Sequence, residues 1–221
     1  MKLTNLLLRE EARRDAYKGL AECFHLPGSN LEAILKNLEY QLTILSSEAL
    51  YHVILMRSEF QGLGDPDTFT IDFARLFVGP YRLEAPPYGS VYLEEERKAM
   101  GSSTMDVKEL YRESGLQIAP DFRDAPDHIS AELEFMYVLI YREIEAIRKD
   151  QPKIAFEQMH KQKSFLQYHI GAWAGLFADL VEEYAQTGFY RSLAKATKIY
   201  VDEDVVGISE VTAPFESAGT A

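Results

Sequence analysis

Between residues 127 and 149 the apolar side chains fall at steps of three and four: Ile129, Leu133, Met136, Leu139, Ile140, Ile144 and Ile147. Such a period lines them along one stripe of an α-helix and does not fit the two-residue alternation of a half-buried strand. The same spacing recurs along the chain. It is carried by Leu6, Leu7, Tyr17, Leu20, Ala21 and Phe24, then by Leu31, Ile34, Leu35 and Leu38, then by Leu50, Val53 and Ile54 in a helix over about 46–60. Shorter helices are predicted over 67–77 and 104–114. Pro152 suits the first turn of a further helix, where a missing N–H costs nothing. That helix carries Phe156, Met159, Phe165 and Leu166 on into Trp173, Leu176, Phe177, Leu180 and Val181, and Gly188 divides it from a last helix near 189–200. Pro27-Gly28, the Gly62, Gly64 and Pro66 cluster, Gly115 and the run PDFRDAP at 120–126 punctuate these segments. Ser29 or Asn30 can cap the second helix and Asp127 the helix over 127–149. No segment alternates like a strand and no period repeats. The expected fold is all-α: one compact bundle of about nine to eleven helices over 1–201, with an ordered proline-rich loop and a polar tail over 202–221 that frays.

Composition narrows the function. Apolar residues make up 47% of 221, enough for a substantial core, and no apolar run approaches the roughly 18 residues of a membrane span. The leucines near the N-terminus are cut short by Arg9, Glu10 and Glu11, with no small-residue cleavage site after them, so a cytosolic protein is expected. Cys23 is the single cysteine, which excludes an internal disulfide and reads as a small core residue. A formal charge of −12 repels nucleic acid and anionic lipid and favours cationic partners. Nucleophile elbows, phosphate loops, dinucleotide fingerprints and paired zinc-binding histidines are all missing from the sequence.

Two segments break the rhythm of helix and short turn. The first runs Phe73-Ala74-Arg75-Leu76-Phe77-Val78-Gly79-Pro80-Tyr81 and on to Pro86-Pro87-Tyr88-Gly89-Ser90-Val91-Tyr92. Prolines and aromatics together present a rigid apolar surface at small entropic cost, suited to gripping a peptide. By residue type, Leu76, Phe77 and Val91 read first as core. The second segment is Ala125-Pro126-Asp127-His128-Ile129-Ser130-Ala131-Glu132-Leu133, in which His128 and Glu132 lie one helical turn apart. A cap plus a His–Glu pair explains it. Asp127, His128 and Glu132 are also ligand types for a metal, but no second histidine follows at helical spacing, and His160 and His169 lie too far along the chain. His25 and His52 read as isolated helix-end or surface residues.

Taken in order, the blocks Leu76-Phe77-Val78-Gly79-Pro80, Pro86-Pro87-Tyr88-Gly89-Ser90-Val91-Tyr92 and Pro126-Asp127-His128-Ile129 with Glu132-Leu133 resemble the signature of the TorD/DmsD/NarJ family of redox-enzyme maturation chaperones. The DmsD-like branch is the nearest in pattern, and the resemblance extends over nearly the whole chain. It implies a cytosolic, non-catalytic helper without cofactor or metal. Such a helper binds the twin-arginine signal peptide of a molybdopterin-containing oxidoreductase, of the S- or N-oxide reductase type, and delays export until the cofactor is inserted. Carried over by position, the peptide-binding residues would be Phe73, Leu76, Phe77, Tyr81, Pro86, Pro87, Tyr88, Gly89, Ser90, Asp127, His128 and Glu132. Phe73, Tyr81 and Tyr88 stand where relatives often carry tryptophan. Asp127, Glu132 or Glu84 would receive the guanidinium groups, and Leu76, Phe77, Tyr81 and Tyr88 would line a groove for the apolar stretch. The same resemblance allows a NarJ-type assembly factor for a membrane-bound reductase, and a monomer or a helix-exchanged dimer. A metal-dependent enzyme built on Asp127, His128 and Glu132 is the remaining alternative.

Overall fold

A computed structural model describes residues 3–62, 67–79, 83–95, 99–119 and 122–218. Among these residues the architecture is entirely helical: α1 (Leu3–Cys23), α2 (Leu31–Leu45), α3 (Leu50–Gly62), α4 (Asp67–Phe73), α5 (Ser90–Leu93), α6 (Ser102–Glu113), α7 (Ile129–Arg148), α8 (Pro152–Tyr168), α9 (Ile170–Tyr184) and α10 (Gly188–Ala218). α4 runs directly into a π-helical turn, Ala74–Val78. No described helix is long and apolar enough to cross a membrane.

Most of the predicted stripe residues are packed, but Ile54 of α3 and Leu176 of α9 are exposed, since Met56 rather than Ile54 joins Val53 on the buried face of α3. Leu31, Leu35, Leu38 and Leu42 of α2 are buried, and Gly19 of α1 lets α2 approach, since a Cβ there would stand 3.2 Å from the Leu38 side chain. On α7, Ile129, Leu133, Met136, Leu139, Ile140 and Ile144 are fully buried. α1 lies against α7 and α2, while α10 lies against α9 and α3. Ser46 ends α2 in the left-handed region (φ 55°), with its N–H donating to Thr43 O.

Three expectations are corrected. The continuous helix expected from Pro152 to Val181 is two helices, broken at His169 (φ −122°, ψ −113°). At the break Gly171 sits so close to Leu166 O that a Cβ would come within 2.1 Å of it. Asp127 does not cap α7. His128 is the N-cap, its Nδ1 accepting from Ser130 N, and Asp127 serves another element. Nor do the described residues from 202 form a tail outside the helices, because they continue α10 to Ala218.

The reason for the last is a buried ionic cluster. Asp204 accepts from Arg13 Nε (2.5 Å) and from the Tyr17 hydroxyl (2.6 Å), and Arg13 also donates to Glu10 and Gln162. Gln162 in turn donates to Glu143 (2.7 Å), and the Tyr200 hydroxyl donates to Arg13 O (2.9 Å). α1, α7, α8 and α10 are thereby joined through polar side chains that are almost fully buried. Further along α10, Ile208 and Thr212 are buried as well.

Candidate functional site

The two unusual sequence segments meet. Tyr88 and His128 form an isolated antiparallel bridge, in which Gly89 N donates to Asp127 O and Ile129 N donates to Pro87 O, each at 2.9 Å. The Asp127 carboxylate accepts from Ser90 N (2.8 Å), so it caps the short α5 and pins the loop to the start of α7. Tyr92 donates its hydroxyl to Pro86 O (2.8 Å) and stacks on Trp173 with centroids 5.5 Å apart. Upstream, Gly79 (φ 93°) takes a conformation that suits glycine, and its N–H closes the π-turn on Ala74 O. Ala85 N then donates to Leu76 O at 3.3 Å, tying that turn to the loop.

Beneath the bridge Trp173 Nε1 donates to Glu132 Oε2 (3.0 Å). A Cβ on Gly89 would lie 2.9 Å from Trp173 Nε1 and 3.2 Å from Glu132 Oε1, so glycine is required here for space rather than for its φ. Glu132 is completely buried, and burial holds its carboxyl well above the usual range, with Asp127 adding to the rise. A carboxyl raised in this way favours folding while protonated, and that contribution is lost as pH climbs through its folded value. Glu132→Gln keeps an acceptor for the indole, so its stability is expected to stay within about 1 kcal/mol of the parent and to gain on it as pH rises. Glu132→Ala leaves the indole N–H unpartnered over a void, at a cost of about 2–4 kcal/mol. Trp173 is the chain's single tryptophan, so its fluorescence in urea titrations reads both variants.

His128 packs edge-on against Tyr88, with ring centroids 5.5 Å apart. Burial pushes its pKa down from 6.5 to about 4. The neutral ring is also what its Nδ1 needs in order to accept from Ser130 N. The unfolded chain takes up this proton near pH 6.5 and the folded chain only near 4. Stability from this residue is therefore complete above 6.5 and lost as pH falls through 4, by up to about 3 kcal/mol. His128→Asn retains a capping acceptor and is expected to flatten this part of the curve in urea unfolding followed from pH 7 to pH 4.

A cavity of about 270 Å³ opens beside the bridge, lined by Phe24, His25, Leu26, Phe73, Phe77, Val78, Tyr88, Asp124 and His128. Its floor is aromatic: Phe77 lies 5.3 Å from Phe73 and 6.0 Å from Phe24 between centroids. Its rim is apolar and exposed at Leu26 (61%) and Val78 (64%). The Tyr88 hydroxyl donates to Asp124 Oδ1 (2.9 Å), and His25 Nε2 stands 3.9 Å from Glu134.

Of the predicted peptide-binding residues, Phe73, Phe77, Tyr88 and His128 line this cavity. Leu76, Pro87, Gly89, Ser90, Asp127 and Glu132 are buried around it and shape it, while Pro86 is half-buried on the loop. Tyr81 lies outside the described residues. Asp127 and Glu132, expected as guanidinium acceptors, are buried: one oxygen of each accepts, from Ser90 N and from the Trp173 indole, while Asp127 Oδ1 and Glu132 Oε1 have no hydrogen-bond partner among the described residues. Since His128 turns its Nδ1 to Ser130, the three ligand types face three different partners rather than one metal. The accessible carboxylates nearby are Asp124 and Glu134, both exposed, and Glu84 is exposed on the loop. Sequence reasoning does not place Asp124, Val78 or the Phe24-His25-Leu26 stretch after α1 in the site. The available signal is a leucine directly before Pro27-Gly28.

In comparison with known proteins, the family model described as nitrate reductase delta subunit matches residues 47–179, more than half the chain and inclusive of both site segments. The chain is 28% identical over 125 residues to the Tat proofreading chaperone DmsD of Salmonella typhimurium. That match covers 57% of this chain and 54% of the relative, so the chain spans about half the length of that protein. It is 25% identical to the chaperone protein TorD of Vibrio parahaemolyticus, over 66% of this chain and 77% of the relative. A crystal structure of an Archaeoglobus fulgidus protein assigned to redox enzyme maturation superposes with a TM-score of 0.54 at 21% identity, covering 86% of this chain and 93% of that one. This last likeness is one of fold, and it agrees with the all-α expectation.

Proposed function

We propose that this chain, which belongs to the nitrate reductase delta subunit family, is a cytoplasmic maturation chaperone for a molybdopterin-containing oxidoreductase, of the type that reduces an S- or N-oxide. It holds the enzyme's twin-arginine leader until the cofactor is in place, and it works by binding rather than by catalysis. The observation that carries this reading is the junction of the Pro86–Ser90 loop with the start of α7, beside an aromatic-floored cavity with Asp124 on its lip. The names of the DmsD and TorD relatives support it. A leader of this kind is basic and then apolar. Asp124 and Glu134 offer its arginines exposed carboxylates, and Phe73, Phe77, Leu26 and Val78 offer its apolar side chains a surface. The net charge of −12 speeds the encounter with a cationic segment. In this reading Asp127, Glu132 and Ser90 hold the loop in shape and do not touch the peptide.

The family's description as nitrate reductase delta subunits favours a second reading, an assembly factor that grips the folded body of a membrane-bound reductase. Hydrogen exchange with and without a synthetic twin-arginine leader separates the two. The leader alone is expected to slow exchange at amides of 85–92 and 122–132. Protection that needs the mature subunit, or that leaves both of these segments unchanged, would reject the leader-binding account.

A further inference from the structure

A second recess lies end to end with the first. On α7, Ala131, Phe135 and Val138 share a face at steps of four and three. Opposite them stand Leu116, Ile118 and Phe122 from the segment after α6, with buried Tyr111 beneath. The space is about 220 Å³. Its walls are held in place. Leu116 N donates to Tyr111 O (2.9 Å) across Gly115 (φ 65°), Arg142 donates to Ser114 O (2.6 Å), and the Tyr111 hydroxyl donates to Pro126 O (3.0 Å).

The two cavities share a partition. The Phe122 ring, which lines the second, is 6.2 Å from the His128 ring, which lines the first. Glu134 on the rim of the second faces His25 of the first at 3.9 Å. Carboxylates therefore gather at the junction, while the far part of the second recess is apolar. We propose that this recess, between Leu116–Ala119 with Phe122 and the facing side of α7, seats the apolar stretch following the leader's arginines, with the arginines lying over Asp124 and Glu134. The inference rests on the leader-binding reading and adds a contact surface to it. The charge order argues for this occupant: an acidic junction next to an open apolar trough matches a segment whose cations immediately precede its apolar residues. A purely apolar helix would gain nothing from the two carboxylates, and a basic peptide without an apolar stretch would leave the trough empty.

The test compares two synthetic peptides, a full leader and one ending just after the arginines, on the intact chain and on the double variant Ala131→Glu with Val138→Glu. The full leader is expected to bind the parent more tightly than the short one. The double variant should weaken the full leader by about tenfold or more and leave the short one unchanged. Ile118→Ser, read in the same way, carries the comparison if the double variant fails to fold. Equal losses for both peptides would mean that the recess matters only to the fold and would overturn the inference. It would also be overturned if the full leader bound both variants normally while Tyr88→Ala weakened it, a result that leaves the leader-binding reading standing. No binding of either peptide to the parent would bring down both.

Discussion

Asp204→Ala is expected to lower the unfolding free energy by about 3–5 kcal/mol, visible as a large fall in the urea midpoint with little change in slope. The aspartate is the counter-ion of Arg13, a guanidinium buried at the meeting of α1, α7, α8 and α10, and it also accepts from Tyr17. Removing it leaves a buried cation with Glu10 as its remaining close carboxylate (2.7 Å) and Glu143 at 3.8 Å. Against a total stability of about 5–15 kcal/mol, such a loss is a large share of the whole. The double variant Arg13→Met with Asp204→Leu removes both charges together and should recover much of the difference, because a buried pair contributes far less than its breakage costs. A double variant as unstable as Asp204→Ala alone would show that the cluster adds net stability beyond compensating its own desolvation.

Tyr88→Ala is expected to reduce leader affinity by about thirtyfold, equivalent to about 2 kcal/mol, with a much smaller effect on stability. Tyr88 is half-buried: its ring packs on His128, its hydroxyl is held by Asp124, and its free face borders the cavity. Truncation removes a rigid aromatic wall and frees Asp124 to wander. Tyr88→Phe keeps the wall and gives up one partly exposed hydrogen bond, so its affinity should fall by only a few-fold. Titration calorimetry with one leader peptide across the parent and both variants reads the series. Similar losses for Phe and Ala would assign the hydroxyl, rather than the ring, to binding.

The helices of this chain are legible because their apolar period is strong and their breaks are marked by glycine and proline. The break at His169 is marked by Gly171 alone, and that it is a break shows only once Gly171 is seen packed on Leu166 O, where a Cβ would not fit. The second half of α10 reads as a solvated tail because Asp202, Glu203 and Asp204 are polar in type, whereas Asp204 has its partner 191 positions away. The site divides in the same way. The proline-aromatic loop and the start of α7 stand out because neither fits a plain helix, and the fold brings them together through the Tyr88–His128 bridge. Roles are harder to read than locations. Asp127 reads as the cap of its own helix and Glu132 as the partner of His128, yet they are engaged inside by Ser90 N and the Trp173 indole, while Asp124 sits in a proline-flanked stretch with no periodicity to mark it.

The central claim is that the junction of the 83–90 loop with α7 recognises a cation-led leader. Its most direct measurement is the affinity of the intact chain for a twin-arginine leader peptide against the same peptide with both arginines replaced by glutamine, at low and at moderate salt. The arginine peptide should bind at least about tenfold more tightly, and the gap should narrow as salt screens Asp124 and Glu134. Equal affinity for the two peptides at low salt would contradict the claim.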